Sequence, residues 1–386
     1  MYKILHIISD KNIGGAGILL LTLLKYIDPS KFDVTIVLPK NSLLLSHIKK
    51  LNIKNIEIAG LADTSFSFKA TLGLKKVFLD IRPDIVHTHA ALSAKIAAKL
   101  YSSNFNKKTQ PLKIVSTRHV VLDSQNIKHT PKYKKSAAYK LLNSFLNNLL
   151  SHKIIATSPA AKFYLLETGI KQNRISMIYN GVDAIKPLSE IEKQTYRHKY
   201  NIEQDDFVCS IVARLEAVKG HDCILKAAQL VQTQDKAIKF IIAGTGSKED
   251  ELKEMAKKLN LQNCIFAGFV NSVREIHGIT DLQINASFTE TSNQALLEGM
   301  SLGIPAAATD TGGNPYVIND GVNGVLFPVK DYAALYKAII NLKENQKLYS
   351  QLSRRSSEIY NEKFTSKAMV KNIENVYLSL LNVKKV

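Results

Sequence analysis

Short runs of apolar, often β-branched residues alternate with longer segments of helical periodicity along the whole chain. In the first half, this pattern predicts strands over residues 3–8, 33–38, 84–87, 113–116 and 153–156. In the second half, it predicts strands over 208–213, 240–243, 264–267, 282–286 and 306–308, with helices between them such as 250–259. The alternation is typical of parallel βαβ units, so the sequence predicts an α/β fold.

Two such series follow each other, and 386 residues are more than one hydrophobic core usually supports. A turn-rich segment at 179–188 separates them, so we place one doubly wound domain at residues 1–185 and a second at 186–365. In the remaining 366–386, apolar positions spaced by three and four predict an amphipathic closing helix. These positions are Met369, Val370, Ile373, Val376, Tyr377 and Leu380.

The composition is that of an ordinary folded protein, with 45% apolar and 22% charged residues. No apolar run reaches the roughly 18–20 residues of a membrane-spanning helix. The first ten residues have the pattern of a buried strand and not of a secretory leader, so we expect a cytoplasmic protein. Cys209, Cys223 and Cys264 have neither paired nor metal-type spacing, which indicates core residues in a reducing compartment.

Positive charge is concentrated in the first half of the chain. Residues 1–186 contain 28 Lys and Arg against 10 Asp and Glu, a net charge of +18, whereas the remainder contains 24 against 23. An A/T-rich genome would favour lysine, but it would not spare the second half. The asymmetry therefore predicts a polyanionic partner for the first half, either an anionic membrane surface or nucleic acid.

Small residues follow the first predicted strand at Gly14–Gly17, before a helix that we expect to start near Ile18. Such a turn lets backbone N–H groups approach a phosphate at the helix N-terminus, although a purely structural turn fits the same residues. The spacing differs from G-x-G-x-x-G, which argues against a nicotinamide or flavin site.

Two cations five residues apart, Arg214 and Lys219, follow the first strand predicted for the second domain. Ligands of doubly wound folds bind at the carboxyl edge of the parallel sheet. The planar guanidinium of arginine and the compact ammonium of lysine could together neutralise a diphosphate there. The alternative is a pair of solvated surface charges.

Two carboxylates, Glu290 and Glu298, flank a predicted helix start after another strand. Thr291, Ser292 and Asn293 between them favour N-cap positions, so free N–H groups of the helix could face a phosphate. The carboxylates could accept hydrogen bonds from the hydroxyls of a sugar or a ribose. Alternatively, they are ordinary acids of the helix surface and of its first turn.

Histidines stand at predicted strand ends of the first half, at His87, His89 and His119. Such a residue could orient an acceptor hydroxyl or share its proton, while a buried structural role is the common alternative. The sequence has neither Asp-x-Asp nor a histidine pattern for metal binding, so we predict no metal in the catalytic site. Gly-x-Ser-x-Gly and the P-loop motif are absent too, which argues against serine hydrolases and P-loop enzymes.

Taken in order, these motifs resemble those of retaining glycosyltransferases with the GT-B fold, a family typified by bacterial enzymes that assemble envelope polysaccharides and lipopolysaccharides. The match runs through nearly the whole chain. It comprises residues 14–16, 87–89, 179–183, 214–220, 244–246, the acid pair Glu290 and Glu298 with seven residues between them, and 312–315. The resemblance implies two Rossmann-like domains that face each other across a cleft, with the C-terminal helix packed back on the N-terminal domain.

The resemblance also implies the reaction and the roles of the motif residues. Arg214 and Lys219 would hold the diphosphate of a nucleoside diphosphate sugar, Glu290 would bind the transferred sugar, and Glu298 would bind the ribose. Further donor contacts would come from Gly15, Ala16, Gly244, Phe269, Val270, Thr291, Ser292 and Asn293. The sugar would pass to an acceptor hydroxyl with retention of configuration, without a metal or another cofactor.

The basic first domain would choose the acceptor. His119 resembles the family's histidine that contacts the reacting sugar or the acceptor, although Val120 follows it where many relatives have Asp or Gly, and His89 is a second acceptor candidate. Lys132, Lys134 and Lys135 precede an apolar helical stripe within 141–150. This pattern predicts docking on anionic lipid at the inner face of the cytoplasmic membrane, with a lipid-linked or other glycan acceptor. For the stripe itself, packing against the sheet is the alternative.

Two other functions fit part of the sequence. A sugar-nucleotide epimerase of the same fold would turn over the donor without an acceptor. A nucleic-acid-binding protein would explain the basic half, but it would leave Arg214, Lys219, Glu290 and Glu298 without a purpose, and no base-reading motif is present. We therefore do not expect nucleic acid as a partner.

Overall fold

The structure, a computed structural model of the chain, describes residues 1–11, 14–58, 60–61, 67–89, 92–105, 111–118, 137–290 and 293–381. The side chains of 103–105 and 137–143 are outside this description. The chain forms two compact units. Of the described residues, the first unit contains those up to 181 together with 366–381, and the second contains 182–290 and 293–365.

A parallel sheet of seven described strands forms the centre of the first unit. The strands are β1 (Tyr2–Ile8), β2 (Phe32–Pro39), β3 (Lys54–Ile58), β4 (Ile85–His89), β5 (Lys113–Arg118), β6 (Lys153–Ala156) and β7 (Ile175–Met177). Their spatial order is β3-β2-β1-β4-β5-β6-β7. The helices of this part of the chain are α1 (Gly15–Tyr26), α2 (Leu45–Lys50), α3 (Phe68–Ile81), α4 (Leu92–Phe105), α5 (Ala137–Leu150) and α6 (Pro159–Glu167).

A second parallel sheet, of six described strands, forms the centre of the second unit. The strands are β8 (Phe207–Val212), β9 (Ile238–Ala243), β10 (Cys264–Gly268), β11 (Leu282–Asn285), β12 (Ala306–Thr309) and β13 (Gly324–Phe327), in the order β10-β9-β8-β11-β12-β13. The helices are α7 (Glu190–Lys199), α8 (His221–Gln234), α9 (Glu249–Lys258), α10 (Arg274–His277), α11 (Gln294–Ser301), α12 (Tyr332–Glu344) and α13 (Gln346–Lys363). The last helix of the chain is α14 (Ser366–Leu380).

The predicted α/β architecture is confirmed, and each of the ten strands expected from the sequence is present. The three additional strands, β3, β7 and β13, each lie at an edge of one of the two sheets. An edge strand is covered less completely than a central one, so it needs no continuous apolar run. The burial of β3 shows this, because only the last of its five residues is buried.

The C-terminal helix α14 belongs to the first unit, as predicted. Met369 and Ile373 of α14 share a buried cluster with Leu20 and Leu23 of α1. Glu374 accepts a hydrogen bond from the N–H of Asp28 at 2.7 Å, which fixes the end of α1 to the same helix. The chain therefore closes by completing the core of the unit in which it began.

A buried hydrogen-bonded network links α14 to the first sheet. Tyr377 Oη lies 2.6 Å from His87 Nδ1, and His87 Nε2 lies 2.7 Å from Thr117 Oγ1. His6 Nδ1 lies 3.2 Å from His89 Nε2, and its Nε2 lies 3.4 Å from Tyr377 Oη. One set of tautomers satisfies all four contacts: His89 donates to His6, His6 to Tyr377, Tyr377 to His87, and His87 to Thr117. Burial lowers the pKa of His6 to about 3, so this imidazole is neutral at pH 7.

Replacing Tyr377 by Phe should destabilise the first unit by about 1–3 kcal/mol, because buried histidines lose a hydrogen-bond partner while the packed ring is retained. Urea unfolding followed by circular dichroism measures the loss. Tyr26→Phe on α1 of the same unit is the control, since Tyr26 is only partly buried. Equal stability of the Tyr377→Phe variant and the wild type would show that the network does not hold α14 in place.

Candidate functional site

The loops that follow β8 and β11 lie side by side at the carboxyl edge of the second sheet. The two strands are parallel neighbours, with Leu282 opposite Cys209. From β8 the chain moves outward to β9, whereas from β11 it moves in the opposite direction to β12. Doubly wound sheets bind their ligands at such a reversal, because the loops on either side leave a crevice.

Close backbone contacts fix the loop that carries Arg214. The N–H of Leu215 donates to the carbonyl of Thr245 at 2.9 Å. Gly244 has φ +142°, and a Cβ at this position would lie 2.0 Å from the carbonyl oxygen of Ala213. Only glycine allows the two loops to approach so closely. The guanidinium-bearing loop is therefore held by main chain, and Arg214 itself is exposed at the edge of the sheet.

Lys219 and Glu290 form an ion pair between the two loops. Lys219 Nζ lies 2.7 Å from Glu290 Oε2, and the side chains are 20% and 11% exposed. Gly220 has φ +67°, and a Cβ there would lie 2.1 Å from the carbonyl oxygen of Ala286, so the loop backbones touch beside the pair. Ser287 Oγ donates to the same carboxylate oxygen at 3.4 Å. The pair is largely shielded from water. The attraction between its two charges is therefore screened less than it would be in a fully exposed pair.

The turn after β12 holds Glu290 from the other side. The N–H of Gly313 donates to the carbonyl of Glu290 at 2.7 Å. Gly312 has φ +56°, and a Cβ there would lie 2.1 Å from the same carbonyl oxygen. The glycine turn at 312–315 thus positions Glu290, which lies 22 residues before Gly312 in the chain. This close contact is a physical reason for glycine at position 312.

Glu298 lies inside the helix α11, next to a buried histidine. Asn293 caps this helix, and its side chain accepts a hydrogen bond from the N–H of Leu296 at 3.4 Å. The carboxylate of Glu298 is 27% exposed, and its Oε2 lies 3.8 Å from His277 Nε2. His277, Asn293 and Lys219 line one small cavity of about 10 Å³. The two acids predicted from the sequence therefore stand next to residues of a common pocket.

Two family models together match most of the chain. Residues 13–185 match the Glycosyltransferase Family 4 model, and residues 192–358 match the model of Glycosyl transferases group 1. The chain belongs to the glycosyltransferases of the GT-B fold.

Two relatives by sequence and one solved structure are similar to this glycosyltransferase. The O-antigen biosynthesis glycosyltransferase WclY of Escherichia coli is 24% identical over 391 residues, which cover 98% of each chain. EpsD of Bacillus subtilis is 27% identical over 220 residues, 57% of this chain and only 58% of EpsD. The fold is similar to that of Anabaena HepE, crystallised in complex with UDP, with a TM-score of 0.83 at 19% identity over 98% of this chain and all of HepE.

The glycine segment of the first unit differs from the prediction. The helix α1 begins at Gly15 and not near Ile18, because the N–H of Ile18 already donates to the carbonyl of Gly14 at 3.0 Å. Gly15 and Ala16 are therefore the first helical residues. Their N–H groups belong to the unpaired amino end of the helix, so a phosphate contact there stays a prediction.

Phe269 and Val270, predicted to flank the base, follow β10 directly. Phe269 is exposed, and Val270 is partly buried. The N–H of Gly244 donates to the carbonyl of Gly268 at 2.8 Å, which brings the end of β10 to the loop that supports Arg214. This segment is thus close to the site, and its role stays a prediction.

Several predicted site residues of the glycosyltransferase lie outside the described residues. They are His119, Thr291, Ser292, Lys132, Lys134 and Lys135. Their roles stay predictions.

His89, predicted as an acceptor residue, is buried in the first unit, and its role stays a prediction. It is 1% exposed, and its Nε2 contacts His6 within the network beneath α14. Ligand atoms of His6, His87 and His89 lie within 4.8 Å of one another, the spacing of a possible metal site. In this structure, however, both nitrogens of His87 contact hydroxyl groups, so hydrogen bonding accounts for the cluster.

Sequence reasoning missed His277. It ends the four-residue helix α10, where no motif and no periodicity marks it. Only its position beside Glu298, 21 residues later in the chain, makes it notable.

Gly312→Ala should disturb the site more than an equally strained control. Both Gly312 and Gly321 have positive φ, +56° and +69°, but a Cβ at Gly321 meets nothing within 4 Å. We expect each variant to lose about 1 kcal/mol of stability from backbone strain. Gly312→Ala should in addition displace Glu290 and lower the turnover of nucleotide sugar at least tenfold.

Enzyme assays and urea unfolding of both variants measure these effects. A fall in turnover of the same size in Gly321→Ala would mean that strain, and not the contact with Glu290, causes the loss.

Proposed function

We propose that this enzyme transfers a sugar from a UDP-sugar to a hydroxyl of a glycan or lipid-linked acceptor, with retention of configuration at the anomeric carbon. The observation that carries the proposal is the partly buried Lys219–Glu290 pair, which lies between β8 and β11, where the order of the strands in the sheet reverses. UDP bound to HepE supports the choice of nucleotide, and the O-antigen pathway of WclY supports a glycan acceptor.

The described residues include candidate groups for the diphosphate, the sugar and the ribose of such a donor. Lys219 and Arg214 would compensate the diphosphate, and the amino end of α11 at Asn293 adds favourable potential for the same charge. Glu290 would accept hydrogen bonds from hydroxyls of the sugar. Glu298 would accept hydrogen bonds from the ribose.

The Lys219–Glu290 pair suits a site that must bind an anion and a polyol in succession. Without donor, each charge compensates the other, so neither is left unpaired in a partly buried place. When the donor binds, its phosphate oxygens would contact the ammonium of Lys219. The hydroxyls of its sugar would donate hydrogen bonds to the carboxylate of Glu290. Both groups would then be in position when the bond to the diphosphate breaks.

A front-face reaction fits these residues. As the glycosidic bond to the β-phosphate breaks, negative charge grows on the leaving oxygen, where Lys219 and Arg214 would stabilise it. The same oxygen would accept the proton of the incoming hydroxyl, which attacks from the side that the diphosphate leaves. Catalysis would rest on charge stabilisation and positioning, with the two cations in the place that a metal ion has in other transferases.

Lys219→Ala should lower turnover on the order of a hundredfold, since one preorganised charge-stabilising donor is lost. Sugar transfer and calorimetric binding are measured with UDP-, GDP- and ADP-sugars, and UDP-sugars are expected to be preferred. Lys239→Ala is the matched control, because Lys239 is also a partly exposed lysine paired with an acid in this unit, at 3.9 Å from Asp206.

Unchanged transfer by Lys219→Ala would remove the lysine from the reaction. Isomerisation of the donor without any acceptor would instead favour the epimerase alternative.

We also propose that the first unit docks on anionic lipid at the inner face of the cytoplasmic membrane. No helix among the described residues is long and apolar enough to span a bilayer. Phe68, Leu72 and Leu79 of α3 are nevertheless exposed. Three exposed lysines lie on the same helix: Lys69, Lys75 and Lys76.

A second exposed apolar pair supports this surface. Phe145 and Leu149 are one turn apart on α5 and exposed, while Leu150 is buried. The stripe predicted from the sequence is thus only partly used for packing. With the net charge of +18 in residues 1–186, apolar side chains beside lysines match the chemistry of an anionic membrane surface.

The double variant Phe68→Ser/Leu72→Ser should bind anionic vesicles several-fold more weakly than the wild type. Flotation with phosphatidylglycerol-containing and pure phosphatidylcholine vesicles at moderate salt measures this binding. Ile191→Ser is the control, because Ile191 is exposed but lies in the second unit, which has almost no net charge. Equal flotation of the wild type with both vesicle types would contradict membrane docking.

A further inference from the structure

The side chain of His277 is a buried imidazole ring close to Glu298. It is 2% exposed, and neither ring nitrogen has a partner among the described residues. An unpaired buried polar group costs about 1–3 kcal/mol, so a folded protein rarely keeps one without a reason. The most direct reason is a partner that comes into place when the site is occupied.

Glu298 is in reach to become this partner. Its Oε2 lies 3.8 Å from His277 Nε2, which is longer than a hydrogen bond by less than about 1 Å. The carboxylate is 27% exposed at the surface of α11, so a small side-chain rotation can close this distance. A carboxylate has about four lone-pair sites, which allows it to accept from an imidazole and from two hydroxyls together.

The imidazole is the fixed member of the pair. The N–H of His277 donates to the carbonyl of Val273 at 2.9 Å, and the adjacent Ile276 is fully buried. A Cβ at Gly278 would lie 2.4 Å from the side chain of Leu188, so the chain after His277 is also tightly packed. A rigid donor beside a rotatable carboxylate determines where the carboxylate settles.

A small cavity connects His277 to residues that we assign to the donor site. His277 lines the same cavity as Lys219 and Asn293, the residues that we assign to the diphosphate and to the amino end of α11. The side chain of His277 is 1% exposed and that of Glu298 is 27% exposed, so the imidazole is the more deeply buried member of the pair.

We propose that His277 is a positioning residue for ribose recognition. In the donor-bound enzyme, its Nε2–H donates to Glu298 Oε2 and orients the carboxylate toward the 2′ and 3′ hydroxyls of the ribose. The inference rests on the proposed function, because it requires that Glu298 binds the ribose of UDP. Preorganisation of this kind raises affinity by reducing the side-chain freedom that is lost on binding.

Calorimetric titration with UDP, 2′-deoxy-UDP and 3′-deoxy-UDP tests the inference on the full-length enzyme. His277→Ala should weaken the binding of UDP about tenfold and leave that of the two deoxynucleotides within about twofold. His277→Gln should restore most of the affinity for UDP, because its amide can donate from nearly the same place. In steady-state kinetics, the alanine variant should raise the KM for the donor more than it lowers kcat.

His221→Ala is the matched control. His221 is also 2% exposed, lies in the same unit, and has no partner at either ring nitrogen among the described residues. Its loss should lower the melting temperature as much as that of His277, but it should leave the preference for UDP over the deoxynucleotides unchanged.

Each outcome decides one of the two proposals. Equal weakening of all three nucleotides by His277→Ala, or no rescue by His277→Gln, would reduce His277 to a structural residue while Glu298 keeps its role. A wild-type enzyme that binds UDP and both deoxynucleotides equally well would overturn ribose recognition by Glu298 and, with it, this inference. A wild-type enzyme that does not bind UDP would overturn the proposed donor.

Discussion

The ion pair between Lys219 and Glu290 exists because two loops leave neighbouring parallel strands in opposite directions. The residues are 71 positions apart in the chain, yet β8 and β11 bring them to the same edge of one sheet. Each partner offsets the desolvation of the other, which neither could do alone in a partly buried place. Removing one partner would take away the charge that compensates the other, so the two loops depend on each other for stability.

Glycines make this arrangement possible by letting main chain touch main chain. At Gly220, Gly244 and Gly312, a Cβ would lie about 2 Å from a carbonyl oxygen of a neighbouring loop. Loops held by such contacts have little freedom to adjust when a substrate arrives. Lys219 and Glu290 are therefore held in place by main-chain contacts, which suits the mechanism proposed above, in which charge stabilisation and orientation lower the barrier.

The first unit uses its polar core residues differently. His6, His87 and His89 are satisfied by one another and by Tyr377, and burial keeps His6 neutral, so these groups hold α14 on the sheet. In the second unit, His277 is about equally buried, but its ring nitrogens have no hydrogen-bond partner among the described residues, and Glu298 lies 3.8 Å away. Burial alone therefore does not distinguish a histidine whose ring is hydrogen-bonded from one whose ring is not.

The sequence by itself determined the parts that depend on local pattern. Central strands such as β1 and β9 stand out as apolar runs, the N-cap residues at 291–293 mark the start of α11, and the order of charged and glycine motifs points to the glycosyltransferase family. Only the tertiary structure decided what depends on strand order and burial: that Lys219 meets Glu290, that His89 is enclosed, and that His277 lies beside Glu298. Periodicity and capping act within a few residues, whereas a contact between distant residues is fixed by which strands become neighbours, and no short stretch of sequence contains that information.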